Sequence, residues 1–485
     1  MILKVFAAFL RAGFLGFGGG AAIAPAIHKE AVDRYGWVDD GTFNDVLALS
    51  NTLPGPAAPQ MAAVIGYRAA GIGGMLAAVS ALVVPMAVLV VVLISWIFSA
   101  VGESADKMLI LKRSTVAVFP LVSAMLCRLM LKFYRQGSEA IGPVRTVLFS
   151  LVCLALLYLG VDNGFVILAM ISLAITSAAP WPRWLCYGMV VPVAALLFVH
   201  SDLVSTLSMA VPDYLEWSVV LWLLVAGGVG LWTTPAEGDL PNSTGEAGLR
   251  PVLGDLGRIW AAVLAVCVPL VMLCPLLRSS AYLALLAGMT FTGLMTFGGG
   301  PVFIPLAIGL LAGPSSQIFL YTRERLMQYI AIVNALPSPI ISKLSAVSGW
   351  DMVQRVADSG TAYSGPLWLW ASAGGAILVV AMVLPAVTNS LVAFSCLDRI
   401  KRSPGMKAMT KFILPVLMAI FLSVFISFME TTFHTVASFP GQSAISSGLQ
   451  CVWLFCLFLW LQTRLRRIPD PLLILAAVAY GILIL

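Results

Sequence analysis

Two short patterns in this chain hold the residue types that could do chemistry. Inside an apolar run, Phe17–Pro25 reads FGGGAAIAP, with Gly18, Gly19 and Gly20 in succession. Each glycine costs a helix about 1 kcal/mol relative to alanine, so the run either ends a helix or lets something approach the backbone closely. Three glycines expose N–H groups that no side chain screens, and a half-helix starting after them would aim its positive end at the same place. That arrangement attracts anions. The second pattern, Asn51–Tyr67, reads NTLPGPAAPQMAAVIGY. Pro54 and Pro56, flanking Gly55, would stop one half-helix and fit the first turn of the next. Asn51 and Gln60 add amide donors for an oxygen ligand, although Asn51 could equally cap a broken helix.

Both patterns occur twice. FGGGPVFIP at Phe297–Pro305 repeats the phenylalanine, the glycines Gly298, Gly299 and Gly300, and the final proline. NALPSPIISKLSAVSGW at Asn334–Trp350 repeats Asn334, Pro337 and Pro339 without a gap, and sets Lys343 where the first copy has Gln60. A charge at membrane depth is costly enough to imply a role. One ammonium and one neutral amide could therefore face each other near the midplane.

The elements that must position these residues are membrane helices. Of 485 residues 60% are hydrophobic and 10% charged, with mean hydropathy +0.99, which excludes a soluble core of this size. Windows such as 71–101 and 366–394 exceed the roughly 20 apolar residues that a hydrocarbon layer requires, and 412–428 reaches the lower end of the spanning range of about 17–25. The fold expected is an all-α polytopic membrane protein made of two repeats. Residues 1–182 form the first, 183–280 a connection with apolar segments and a polar loop, and 281–485 the second. Lys4 alone precedes the first apolar run with no small-residue cleavage site after it, so that run reads as a retained segment.

Charge predicts that the repeats are inverted. The loop 397–411 carries Arg399, Lys401, Arg402, Lys407 and Lys411, while the next, 430–448, carries no lysine or arginine. Positive loops face the cytoplasm. In the first copy the excess moves to the later loop, with Lys132, Arg135 and Arg145 against Glu139. Inverted repeats whose helices are broken by Gly and Pro at matching positions mark secondary transporters, and the breaks point to the binding site. The plain alternative is that Gly and Pro serve close helix packing and kinks.

Other chemistry finds little support. GFGGGA at Gly16–Ala21 fits GxGxxA but lacks a soluble βαβ setting. The eight cysteines are scattered without CxxC and read as core hydrophobes, and His28, His200 and His434 have no ligand spacing. No cofactor, metal or nucleic-acid partner is expected, nor any enzymatic activity. Arg11 and Arg68 lie near the breaks; Arg68 reads as an interfacial side chain that snorkels.

The FGGG run, GW at Gly36–Trp37, Phe43, N-x-LPGP and IGY…GIGG together resemble the chromate ion transporter family. The match is specific from Phe9 to about Pro85 and degraded in the second copy, where Pro-Ser-Pro replaces Pro-Gly-Pro. The resemblance implies a multi-pass exporter of chromate in a bacterial inner membrane, with sulfate as a close dianion analogue. It carries motif roles to Phe17, Gly18, Gly19, Gly20, Asn51, Pro54, Gly55 and Pro56, and to Phe297, Gly298, Gly299, Gly300, Asn334, Pro337 and Pro339. Gln60 and Lys343 join the expected binding set. The partners expected are a small inorganic oxyanion and the lipid bilayer, with a homodimer left open. The competing readings are another small anion as cargo, or a membrane subunit that transports nothing.

Overall fold

The computed structural model describes residues 1–16, 20–101, 116–159, 244–294, 321–397, 404–437, 443–464 and 470–483, with 113, 166, 167, 169, 170, 172–174, 296, 303, 304, 307, 308 and 311 between them. Gly18, Gly19, Gly298, Gly299 and Gly300, and most of the connection before residue 244, lie outside the described residues. Among the described residues the chain is helical throughout and contains no strand. It is an all-α polytopic membrane protein. Five helical stretches are long and apolar enough to cross a bilayer: Ala57–Ser99, Arg250–Leu273, Leu367–Ser395, Lys411–Ala437 and Ile445–Arg464.

The first glycine pattern separates two helices that lie side by side. Helix α1 (Ile2–Leu15) ends at Gly16, and α2 (Gly20–His28) continues into a π-turn over Lys29–Arg34. Arg11, five residues before Gly16, ion-pairs with Glu30, so the second arm runs back along the first. Gly16 lets the arms close, since a Cβ there would stand 2.5 Å from Cγ1 of Ile23. Fourteen and fifteen helical residues reach only about 22 Å, short of a hydrocarbon thickness of about 30 Å.

The second pattern separates α3 (Asp40–Thr52) from α4 (Ala57–Val101). Asp39 caps α3, accepting from the Thr42 backbone N–H at 2.7 Å, and that bond holds its carboxyl below the usual carboxylate range. Helix α4 is two arms, because Ala70 and Gly71 leave helical geometry and Gly71 takes a φ of +59°. The arms fold back on each other: a Cβ on Gly66 would stand 2.6 Å from the carbonyl oxygen of Gly74. In one straight helix those residues would be about 12 Å apart.

The second copy repeats these solutions. Helix α8 (Ser280–Leu294) leads into its glycine pattern, and α9 (Arg323–Ala335) and α10 (Ile340–Asp358) flank its proline pattern. Helix α11 (Leu367–Ser395) packs back on α10, with Gly349 against the Gly374 carbonyl as Gly66 meets Gly74. Gly13 abuts Leu82 in the first copy, and Gly293 abuts Met382 in the second. Ile2 covers Gly73, while the Tyr282 hydroxyl donates to the Gly374 carbonyl at 2.7 Å. Small residues at such crossings let backbones approach, which is how membrane helices associate without a hydrophobic drive.

Two compact units divide the chain. One comprises residues 1–124, 248–395 and 428–485, and holds α1, α2, α8 and both proline breaks. Its core runs from Val5 and Phe9 through Ile23, Ile27, Met61 and Ile65 to Val383 and Leu391, so side chains of both copies share it. The other comprises 125–247 and 396–427. Within it α5 (Val118–Ile141) and α12 (Pro404–Ala437) meet through Phe133 and Phe421, whose rings stack at 5.5 Å. There, too, Ser150 of α6 (Pro143–Tyr158) donates to the Pro415 carbonyl at 2.9 Å. Both units therefore draw on both sequence copies. The remaining described helices are α7 (Thr244–Leu273), α13 (Ala444–Arg464) and α14 (Asp470–Leu483).

Candidate functional site

Each proline break has a problem of hydrogen bonding. In a continuous helix the N–H of residue i+4 serves the carbonyl of residue i. Pro54 and Pro56 have none to offer Ser50 and Thr52, and Pro337 has none for Val333. The N–H groups between the prolines leave the helix altogether. Gly55 donates to the Thr296 carbonyl at 2.8 Å, and Ser338 donates to the Gly16 carbonyl at 2.8 Å.

These two bonds are one contact made twice. Gly55 and Ser338 are equivalent in the proline pattern, and Gly16 and Thr296 both immediately precede FGGG. The break of each copy is thus tied to the glycine pattern of the other. Both break residues take a positive φ, +121° at Gly55 and +79° at Ser338, and Ser338 is the non-glycine residue with positive φ among those described. Its strain is held by a second bond, from Oγ to the Leu82 carbonyl at 2.6 Å. Gly55 admits no side chain, since a Cβ would meet that of Ala386 at 2.5 Å and Nε2 of Gln60 at 2.7 Å.

Lys343 and Gln60 occupy matching positions and meet the orphan carbonyls differently. Lys343 is fully buried. Its Nζ donates to the Val333 carbonyl at 2.7 Å and to the Leu336 carbonyl. The ammonium thus replaces the N–H that Pro337 lacks, and one of its three protons has no acceptor in this pair of bonds. Gln60, also fully buried, donates from Nε2 to the Pro54 carbonyl at 2.8 Å while its Oε1 has no partner. Nδ2 of Asn334 is likewise buried and unpartnered, as is Oγ of Ser50 beside Asn51. Buried polar atoms without partners are uncommon and mark places where a ligand or ion could complete the set.

Helix starts supply the complementary charge. Helix α10 begins after Pro339 with no side-chain cap, and α2 begins at Gly20 beyond Gly16. Because Gly16 accepts from Ser338, both starts flank one place, and their N–H groups have no intrahelical acceptors. The described bonds join Gln60 to Pro54 at one break and Lys343 to Val333 and Leu336 at the other, and tie each break to the residue that precedes the other copy's glycine run.

Sequence reasoning passed over Ser338, Thr296, Gly16 and Ser50. Aligning the glycine patterns at one offset and the proline patterns at another pairs these positions, but only contacts reveal that each pair crosses between copies. Charged groups beside the breaks were read too loosely. Arg11 is bound to Glu30 at 2.6 Å and to the Tyr35 hydroxyl at 3.1 Å. Arg68 lies 5.5 Å from the Phe394 ring centre and lines a polar cleft of about 520 Å³ with Trp37, Asp39 and Asp40. At the matching position of the second copy stands Asp351, held by Arg355 at 2.7 Å and by Arg325 at 3.6 Å. His28 meets Asp40 at 2.7 Å and is part of a solvated helix end. Among the described residues no group of His, Cys, Asp and Glu could hold a metal ion.

Residues 3–177 and 283–482 match the family described as Chromate transporter. Two Bacillus subtilis proteins align over the length of a single copy. They are the uncharacterized transporter YwrB, 34% identical over 34% of this chain and 82% of its own, and the uncharacterized transporter YwrA, 36% identical over 34% and 92%. A chromate transport protein of Cupriavidus metallidurans is 37% identical over 19% of this chain and 23% of its own. No solved structure matches.

Proposed function

Because the chain belongs to the chromate transporter family, and is thus a multi-pass ion transporter, we propose that it exports chromate from a bacterial cell across the inner membrane. Transport proceeds by alternating access at the interface of two inverted repeats. The reciprocal bonds Gly55 to Thr296 and Ser338 to Gly16 support this reading, because each ties the break of one copy to the glycine pattern of the other.

The oxyanion sits between the start of α2, after Gly18, Gly19 and Gly20, and the start of α10, with Gly298, Gly299 and Gly300 as the counterpart in the second copy. Backbone N–H groups and Asn51 and Asn334 donate to its oxygens, and Lys343 supplies the formal positive charge. A tetrahedral dianion suits donors converging from several directions, and sulfate has the same shape and charge. An inside-negative potential assists expulsion by about 2.3 kcal/mol per charge per 100 mV. A homodimer remains compatible with this route, since each chain carries its own pair of breaks.

Flux tests the reading directly. Vesicles holding only the purified protein should take up labelled chromate, and excess sulfate should compete. Asn334→Ala removes an amide whose buried Nδ2 has no hydrogen-bond partner among the described residues, so flux should fall at least tenfold while the unfolding temperature holds. Uptake no faster than in empty vesicles would remove transport of chromate in favour of another cargo or a structural role. Full flux in Asn334→Ala would remove this site.

A further inference from the structure

We propose that the first copy binds a small monovalent cation, sodium, at the C-terminal end of α3, where the second copy holds the ammonium of Lys343. The two ends are equivalent in sequence, yet only one contains a cation of its own. In the second copy Nζ of Lys343 lies against the carbonyls of Val333 and Leu336. The matching carbonyls in the first copy belong to Ser50 and Leu53, and the matching side chain is Gln60. Pro54 denies Ser50 its i+4 donor just as Pro337 denies Val333. The Gln60 amide does not replace it, because Nε2 is engaged by the Pro54 carbonyl.

What the first copy offers instead is oxygen. Oε1 of Gln60 and Oγ of Ser50 are buried without partners, on residues that are 0% and 1% exposed. By their equivalence to Val333 and Leu336, the carbonyls of Ser50 and Leu53 would join them as neutral oxygens at the negative end of a half-helix. Hard monovalent cations take such ligands, and transporters place coupling ions at half-helix C-termini and unwound carbonyls. A divalent ion would call for carboxylates, and the set contains none. None of these oxygens can take up a proton near neutral pH, which excludes protonation as the equivalent device.

Charge gives the site its purpose. A dianion beside Lys343 alone leaves one negative charge uncompensated in a low-dielectric interior, which is costly. A sodium ion in the first copy would complete neutrality and tie cation occupancy to anion binding. That coupling rests on the transport reading above, whereas the cation site itself does not.

Thermal unfolding of the purified full-length protein, without chromate, tests the site. Sodium chloride is titrated against choline chloride at constant ionic strength. The wild type should gain several degrees, saturably, as binding to the folded state requires. Gln60→Lys, which installs the second copy's ammonium, and Ser50→Ala should each abolish the gain. Should Gln60→Lys fail to fold, Ser50→Ala decides alone. No sodium-specific gain in the wild type, or an undiminished gain in Ser50→Ala, overturns the site. Chromate flux in vesicles separates the two readings: a sodium response without flux keeps the site and removes transport, and flux indifferent to sodium with no thermal response does the reverse.

Discussion

Ser338 shows how one residue can hold a left-handed backbone that glycine would adopt freely. Its φ of +79° costs about 1–2 kcal/mol, and the bond from Oγ to the Leu82 carbonyl offsets that by about 1 kcal/mol. Two substitutions separate the terms. Ser338→Ala keeps the strain and loses the bond, while Ser338→Gly loses the bond and relieves the strain. Thermal unfolding in detergent should therefore place Ser338→Ala lowest, with Ser338→Gly above it by about 1 kcal/mol, the reverse of the order inside a helix. The opposite ranking would mean that the strain is not borne at Ser338. At Gly55 the same φ region coincides with a blocked Cβ position, and Gly55→Ser should yield no folded protein by size-exclusion chromatography.

Among the elements, the returning helix pairs carry the tightest packing. Gly349 and Gly374 bring α10 and α11 together so closely that a Cβ on Gly349 would stand 2.6 Å from a backbone oxygen, where no side chain can yield. Asp351, about two turns before the end of α10, is buried and accepts from Arg355. Arg355 packs against the Tyr321 ring and Arg325 against that of Phe98. Removing the carboxylate takes from Arg355 and Arg325 the buried counter-charge at 2.7 and 3.6 Å, at a cost that solvent at the partly exposed guanidinium groups reduces. Asp351→Asn should lower the unfolding temperature far more than Arg68→Gln, the exchange at the matching position, because Arg68 is not ion-paired in the described contacts. Equal effects at both positions would show that burial of the ion pair is not what stabilises this end of α10.

The whole molecule is two copies joined at their irregular parts. Neither break completes its hydrogen bonds within its own copy, so the copies require each other at the site. Orientation in the bilayer follows from charge. With the reactive native cysteines replaced, Gly142→Cys should be labelled from the cytoplasmic side and Ser443→Cys from the external side by a membrane-impermeant maleimide. Labelling of both from one side would mean parallel repeats.

Amino-acid order alone determined the membrane class, the duplication and the positions of the breaks. Hydrophobicity, glycine runs and Pro-x-Pro are local properties, legible wherever backbone hydrogen bonding must fail. The same order singled out Asn334, Gln60 and Lys343 beside the breaks, because a polar group inside an apolar repeat is conspicuous. Tertiary structure decided the partners. That Gly55 reaches Thr296 while Ser338 reaches Gly16 depends on which orphan group lies within 3 Å after folding. Such bonds join residues more than 200 positions apart and are made by backbone atoms common to every residue, so side-chain identity carries no trace of them.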